Sequence, residues 1–166
     1  MSIINVVGAK IWGGGEQYVY DICKQLQQRH RTAYILVDQS NEDMQSRYAQ
    51  VGHVMMANLY TLKGFLSVNA VAKQVKEQGI DTIVCHSGKY ILFCIALKQL
   101  TGAKLVFIKH NLVPGKTDMY HRWINAQVDA FVCVSKLVYD DLMTPVIKDT
   151  SKYHVVYNGI DPNRFQ

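Results

Sequence analysis

Any chemistry in this chain has to come from a few short polar stretches set between apolar runs. The first is Gly8-Ala9-Lys10-Ile11-Trp12-Gly13-Gly14-Gly15-Glu16-Gln17. Consecutive glycines just ahead of a helical pattern let the backbone come close to a ligand. They also aim amide N–H groups at an anion, and the helix dipole adds to that attraction. The same glycines would ease the turn if no ligand came, but the position of the loop favours ligand contact. Two further stretches, Cys85-His86-Ser87-Gly88 and Lys109-His110-Asn111, each close an apolar run with a histidine. An imidazole placed there can donate to a phosphate or hydroxyl, or act as a base near neutral pH. A lone histidine is more often structural. Two at the ends of neighbouring strands could face one cleft.

Other chemistries lack their residues. There is no G-x-S-x-G elbow and no G-x-x-x-x-G-K-[ST] phosphate loop. Gly13 and Gly15 supply the G-x-G of a dinucleotide fingerprint, but Tyr18 stands where its third glycine belongs. Asp38, placed to hold a ribose hydroxyl, keeps a nicotinamide-dependent oxidoreductase domain as an alternative. The cysteines Cys23, Cys85, Cys94 and Cys133 form no C-x-x-C pair and sit among apolar residues. They read as reduced, buried, small hydrophobes rather than zinc ligands or disulfides. Ser135-Lys136 reads as a helix cap and a solvated lysine, and Asn158-Gly159-Ile160-Asp161 as a tight turn.

The elements that must position these residues alternate regularly. Ile3–Val7, Ala33–Val37, Val51–Met56, Thr82–Cys85, Leu105–Ile108, Ala130–Val134 and His154–Tyr157 are short apolar runs that read as strands. Between them lies helical spacing. Val19, Ile22, Cys23 and Leu26 share one helix face, as do Val68, Val71, Ala72 and Val75. Ser40 is expected to cap the second helix, and Gly79 to stop the third. Tyr90–Leu100 is apolar almost all round and should be deeply packed. Tyr120–Ala126 also looks helical. Continuous apolar strands imply burial on both faces. With strict β-α alternation this predicts an α/β fold: a doubly wound, mostly parallel Rossmann-like sheet with helices on both faces. Ligands of such sheets bind at the carboxyl ends of the strands, where the glycine and histidine stretches fall.

The chain's 166 residues, 49% apolar and 19% charged, suit one folded domain spanning 1–166. A net charge of +5 favours anionic partners. The basic residues are scattered, so nucleic acid is not expected. The start Met1-Ser2-Ile3-Ile4 lacks a basic leader region, so a cytoplasmic protein is expected. Peripheral contact with the inner face of a membrane through Lys63, Lys73, Lys76, Lys98 and Lys104 is a secondary expectation, weighed against a solvated helical face.

Taken in order, these stretches resemble family 4 glycosyltransferases. Gly13-Gly14-Gly15-Glu16 resembles the G-G-x-E that opens their first helix, with Gly15 standing where the family often has alanine. Ile83–Ser87 and Leu105–Asn111 are similar to their two strands that end in histidine. Val128–Ser135 resembles a-D-x-v-i-x-v-S, and Val155–Asp161 with Phe165 resembles v-I-x-N-G-v-D-x-x-x-F, with Tyr157 in place of the commoner proline. The resemblance implies the N-terminal, acceptor-side half of a two-domain GT-B enzyme that ends near a domain boundary. The C-terminal nucleotide-sugar domain would lie outside this chain. It implies transfer of a sugar from a nucleotide diphosphate sugar to a glycan or lipid-linked acceptor. Anomeric configuration would be retained, with no metal or other cofactor. By the same resemblance His110 would sit beside the transferred sugar as the catalytic residue. Gly13, Gly14, Gly15, Glu16, His86 and Asn111 would contact donor or acceptor, and the isolated chain would be inactive. A non-catalytic sugar- or phosphate-binding module is the other alternative.

Overall fold

The computed structural model describes residues 1–60, 64–143 and 150–159. Within them, seven strands alternate with helices. The strands are β1 (Ile3–Val7), β2 (Tyr34–Asp38), β3 (His53–Ala57), β4 (Thr82–Cys85), β5 (Lys104–Lys109), β6 (Ala130–Cys133) and β7 (Tyr153–Val155). The helices are α1 (Gly14–Gln28), α2 (Glu42–Tyr48), α3 (Gly64–Glu77), α4 (Ile91–Thr101), α5 (Met119–Gln127) and α6 (Lys136–Met143). A single 3-10 turn at Gly88–Tyr90 leads into α4.

All neighbouring strands pair parallel in the order β3-β2-β1-β4-β5-β6-β7. The expected doubly wound sheet is therefore present. β1 lies inside it, third from the β3 edge, with Asn5 in register with Ile35 on one side and Val84 on the other. Chain direction reverses across the sheet between β1 and β4. This is the switch point where the loops after the two strands diverge and leave a crevice.

The strand residues explain the two covers. Side chains alternate between faces, so Ile4, Val6 and Leu36 point to one core and Val7, Ile35 and Val37 to the other. The first core is closed by Val68, Val71 and Val75 of α3 and by Phe93, Cys94 and Leu97 of α4. The second is closed by Val19 and Cys23 of α1 and by Met44 and Tyr48 of α2. Both faces are dry, which is why the strands read as unbroken apolar runs. All four cysteines are free and buried, as expected.

Local signals place the helix ends with one correction. Gly79 has φ +65, the left-handed conformation of a helix stop, and its N–H donates to the Lys76 carbonyl. Ser135 caps α6, its hydroxyl accepting from Val138 N–H at 3.2 Å. The cap of α2 is Asn41 rather than Ser40: Asn41 Oδ1 accepts from Met44 N–H at 3.1 Å. Ser40 turns back instead and donates both N–H and Oγ–H to Asp38. Helix α4 packs through Ile91, Phe93, Cys94, Ile95 and Leu97, but Leu92 and Leu100 reach solvent, so its burial is one-sided.

The lysines that could face a bilayer differ in their surroundings. Lys98 donates to Asp129 Oδ2 at 2.8 Å and to the Gln127 carbonyl at 2.6 Å, so it ties α4 to the strand entry and is not offered to a membrane. Lys73 pairs with Glu77 along α3 at 3.8 Å. Lys63 and the segment Ile160–Phe165 lie outside the described residues. No helix among the described residues is long and apolar enough to cross a membrane.

Candidate active site: a cleft at the carboxyl edge of the sheet

The carboxyl ends of β1, β2, β4 and β5 enclose a cleft of about 1020 Å³. Gly14, Gly15, Glu16, His86, His110 and Asn111 all line it. Gly13 does not. It is the N-cap of α1, and its N–H donates to Glu16 Oε2 at 3.0 Å, closing the helix start. The first i to i−4 bond runs from Gln17 N–H to the Gly13 carbonyl at 3.0 Å. The amides of Gly14, Gly15 and Glu16 therefore precede the hydrogen-bonded ladder and are available to an anion in the cleft. Tyr48 fixes this turn from behind, its hydroxyl donating to the Glu16 carbonyl at 2.9 Å.

His110 faces the glycine turn closely. A Cβ built on Gly15 would lie 3.8 Å from the imidazole Cδ2, which is ordinary contact. The position where the family often carries alanine thus has room for one.

The two histidines meet directly. His86 Nδ1 and His110 Nε2 are 3.0 Å apart, and His86 Nε2 lies 2.9 Å from Asn5 Oδ1. An amide oxygen only accepts, so His86 carries its proton on Nε2 and offers the Nδ1 lone pair to His110. His110 then donates from Nε2, which leaves its Nδ1 as an acceptor. Burial, reinforced by the neighbouring His110, lowers the His86 pKa to about 3. Burial also holds His110 below the ordinary histidine value. Both rings are neutral at physiological pH, as the hydrogen-bond chain requires.

Tyr18, which displaces the third glycine of the dinucleotide fingerprint, packs against both rings. Its ring centre is 5.1 Å from that of His110 and 6.3 Å from that of His86, edge to face in each case. Asp38 is likewise committed elsewhere. Its Oδ1 accepts from Ser40 and its Oδ2 accepts from Leu59 N–H at 3.0 Å. Burial opposes its charge, but the bonds from Ser40 and Leu59 and the nearby Lys10 outweigh that and hold the carboxyl below the usual range. The small third residue that a nicotinamide site needs is therefore missing, and the Asp38 carboxylate at the cleft is already partly used by Ser40 and Leu59.

The floor of the cleft is tight. A Cβ on Gly8 would lie 2.8 Å from both the Tyr60 hydroxyl and the Tyr90 ring, and Tyr60 donates its hydroxyl proton to the Gly8 carbonyl. Only glycine fits there. Among the described residues no three His, Cys, Asp or Glu side chains gather around one point as a metal site would need.

The description of Glycosyltransferase Family 4 matches residues 12–164, nearly the whole chain. The chain belongs to glycosyltransferase family 4. No curated protein matches it in sequence. Among solved structures, a glycosyltransferase from Rickettsia africae ESF-5 superposes with a TM-score of 0.84 at 19% identity, covering 99% of this chain and 44% of that one. Anabaena Alr3699/HepE in complex with UDP-glucose gives 0.74 at 19% identity, covering 98% and 45%. UDP-GlcNAc 2-epimerase from Neisseria meningitidis bound to UDP-GlcNAc gives 0.62 at 10% identity, covering 95% and 47%. The chain thus spans less than half the length of each. At these identities the likeness shows a shared fold, one that serves epimerases as well as transferases.

Two residues of this family 4 domain escaped the sequence reading. Asn5 is 3% exposed and joins the histidine pair from the middle of β1. Its signal was present as a lone polar residue in Ile3-Ile4-Asn5-Val6-Val7. Tyr18 was read as a missing glycine, when it supplies the wall against which both imidazoles rest. The Asp129 of the a-D-x-v segment has a structural use: its carboxylate accepts from Leu105 N–H at 2.7 Å and pairs with Lys98.

Proposed function

We propose that the full-length protein transfers a sugar from a nucleotide diphosphate sugar to a glycan or lipid-linked acceptor with retention of configuration. This chain supplies the acceptor-side wall of the active site, and the C-terminal domain supplies the grip on the nucleotide. One observation carries the reading: the open amides of Gly14 and Gly15 and the neutral imidazole of His110 face each other across one cleft. The amides and helix start meet the negative charge of a diphosphate, in place of a bound metal. The Nδ1 lone pair of His110 accepts a hydrogen bond from a hydroxyl of the transferred sugar. Asn111 lies beside it on the cleft wall and offers an amide to the same sugar or to the acceptor. Glu16 holds the glycine turn through Gly13. His86 acts one step back, setting the proton position of His110.

The fold shared with Anabaena Alr3699/HepE, solved in complex with UDP-glucose, supports a uridine diphosphate sugar as the first donor to try. In the full-length enzyme, His110→Ala is expected to lower kcat by about a hundredfold through lost positioning, a larger effect than its cost in stability. Turnover near wild type would reduce His110 to a packing residue. The isolated 166-residue chain is expected to transfer no sugar, because half of the active site belongs to the other domain. Turnover by this chain alone with any sugar nucleotide would overturn that assignment of parts.

A further inference from the structure

A second cavity, of about 540 Å³, opens on the far side of the Ser87–Lys89 segment. It shares Ser87 and Lys89 with the first cleft, so one short stretch of chain is the wall between them. Phe107, Phe131 and Tyr153 line it from three adjacent strands, and Ile124 and Leu142 line it from α5 and α6. Phe131 and Tyr153 stack with ring centres 4.6 Å apart and planes within 5°, and Phe107 sits 5.9 Å from Phe131. These largely buried rings, two stacked and the third tilted at 43°, form one contiguous apolar side of the cavity. The volume lies within the range of small-molecule sites.

Among the described residues that line this cavity, Lys89, Lys109 and Lys116 are the lysines, and none is Asp or Glu. His121 also lines it, but Asp118 holds its Nδ1 at 2.6 Å. Lys109 ends β5 partly buried, with its ammonium 5.2 Å from the centre of the Phe107 ring. Among the described residues no carboxylate lies within ion-pair distance of it. Asp141 of α6 acts on it only from farther away. Burial pulls the Lys109 pKa below the ordinary lysine value. A cation partly removed from water without a close counter-ion attracts an anion, and the surrounding aromatic wall favours an anion attached to an apolar body. Exposed Leu112 and Val113 extend the apolar surface on the loop that borders the mouth.

We infer that this cavity binds a single-chain anionic amphiphile, its apolar body against Phe107, Phe131 and Tyr153 and its acid group on Lys109 and Lys116. Its place as the carrier end of the sugar acceptor rests on the transferase reading, since the shared Ser87–Lys89 wall would direct the other end of the ligand to His110. Binding itself needs neither donor nor turnover.

The test titrates the chain with dodecyl phosphate and dodecanoate below their micelle-forming concentrations, followed by methyl NMR. Saturable shifts at Ile91, Ile124 and Leu142 are expected with an anionic probe, and none that saturate with dodecanol or dodecyltrimethylammonium. Tighter binding of the phosphate than of the carboxylate would assign the head group; equal binding supports the class alone. Lys109→Met should weaken binding by about tenfold or more, the loss of a charge-assisted contact. Lys116→Met, on the loop ahead of α5, gives the second variant if Lys109→Met does not fold. Failure of both anions to saturate, equal affinity in both lysine variants, or shifts confined to Gly14, Gly15 and His110 would overturn the inference. An inactive full-length enzyme would refute the transferase reading and leave this binding result standing.

Discussion

The two cavities on either side of Ser87–Lys89 are built on opposite principles. The first is polar and largely tied together. Its histidines are hydrogen-bonded to each other and to Asn5, its carboxylates Glu16 and Asp38 accept from backbone amides, and Lys10 acts on Asp38, which leaves the Gly14 and Gly15 amides and the His110 Nδ1 as the groups open to a ligand. The second is apolar and electrically incomplete, with lysines and no acid among the described residues of its lining. A satisfied network fixes geometry, which a site that must orient reacting groups requires. An unbalanced one stores an attraction that a ligand can complete. The first cleft is thus arranged to hold its few ligand-facing groups in fixed positions, and the second to attract a ligand through charge that the fold leaves unbalanced.

The largest test of that contrast is steric. Gly8→Ala puts a methyl 2.8 Å from Tyr60 and Tyr90 at the floor of the first cleft. The Tyr90 ring is buried and cannot retreat without disturbing the core around it. A loss of about 3 kcal/mol by denaturant titration is expected. A variant as stable as the parent would show that the floor is loose and the rigidity argument wrong.

Acid provides the next largest effect. His86 has a folded-state pKa of about 3, against about 6.5 for a free imidazole. The unfolded chain therefore binds more protons between these values, and stability falls as pH drops from about 6.5 towards 3. By pH 5 the linkage amounts to about 2 kcal/mol from this group alone. His86→Gln should flatten that slope when melting temperature is followed from pH 7 to pH 5. An unchanged slope would place the acid sensitivity elsewhere.

Breaking the chain of hydrogen bonds at its far end is smaller and more informative. Asn5→Leu leaves the His86 Nε2–H without its acceptor, a cost of about 1–2 kcal/mol. Nitrogen NMR of the imidazoles should report Nε2–H on both rings in the parent chain, and a mixture in the variant. Nδ1–H on His86 in the parent would mean that the Asn5 amide is turned and the whole chain of donors reversed.

The seven strands and the position of each histidine at a strand end were readable from the sequence because apolar runs and period are local quantities. So was the glycine helix start. What was not readable came from contacts across the fold. Nothing near Asp38 says that its carboxylate is bound by Leu59, which lies 21 residues on. Nothing near Asn5 says that His86, 81 residues on, will reach it. The second cavity is likewise invisible, since Phe107, Phe131 and Tyr153 look like ordinary core residues until three parallel strands bring them side by side. Tyr18 shows a different limit: a motif defines the residue it lacks, not what the replacement does.

The smallest effect is the one that most directly separates the two cavities. If the second is incomplete without a ligand, removing its buried cation should help the empty protein. Folding disfavours the charged form of Lys109 through burial, so the charge subtracts from stability. The contact with Phe107 recovers part of this, which limits the gain. Lys109→Met, close in volume and without charge, should raise stability at neutral pH by about 0.5–1 kcal/mol, read as a higher denaturation midpoint at unchanged slope. In the first cleft the matching change, Asn5→Leu, also removes a polar group from an apolar setting, yet it should destabilise, because its group has a partner. Opposite signs for these two substitutions would establish the contrast. A loss of stability in Lys109→Met would show that the lysine is already balanced within the fold, and the second cavity would then have no unmet charge to offer a ligand.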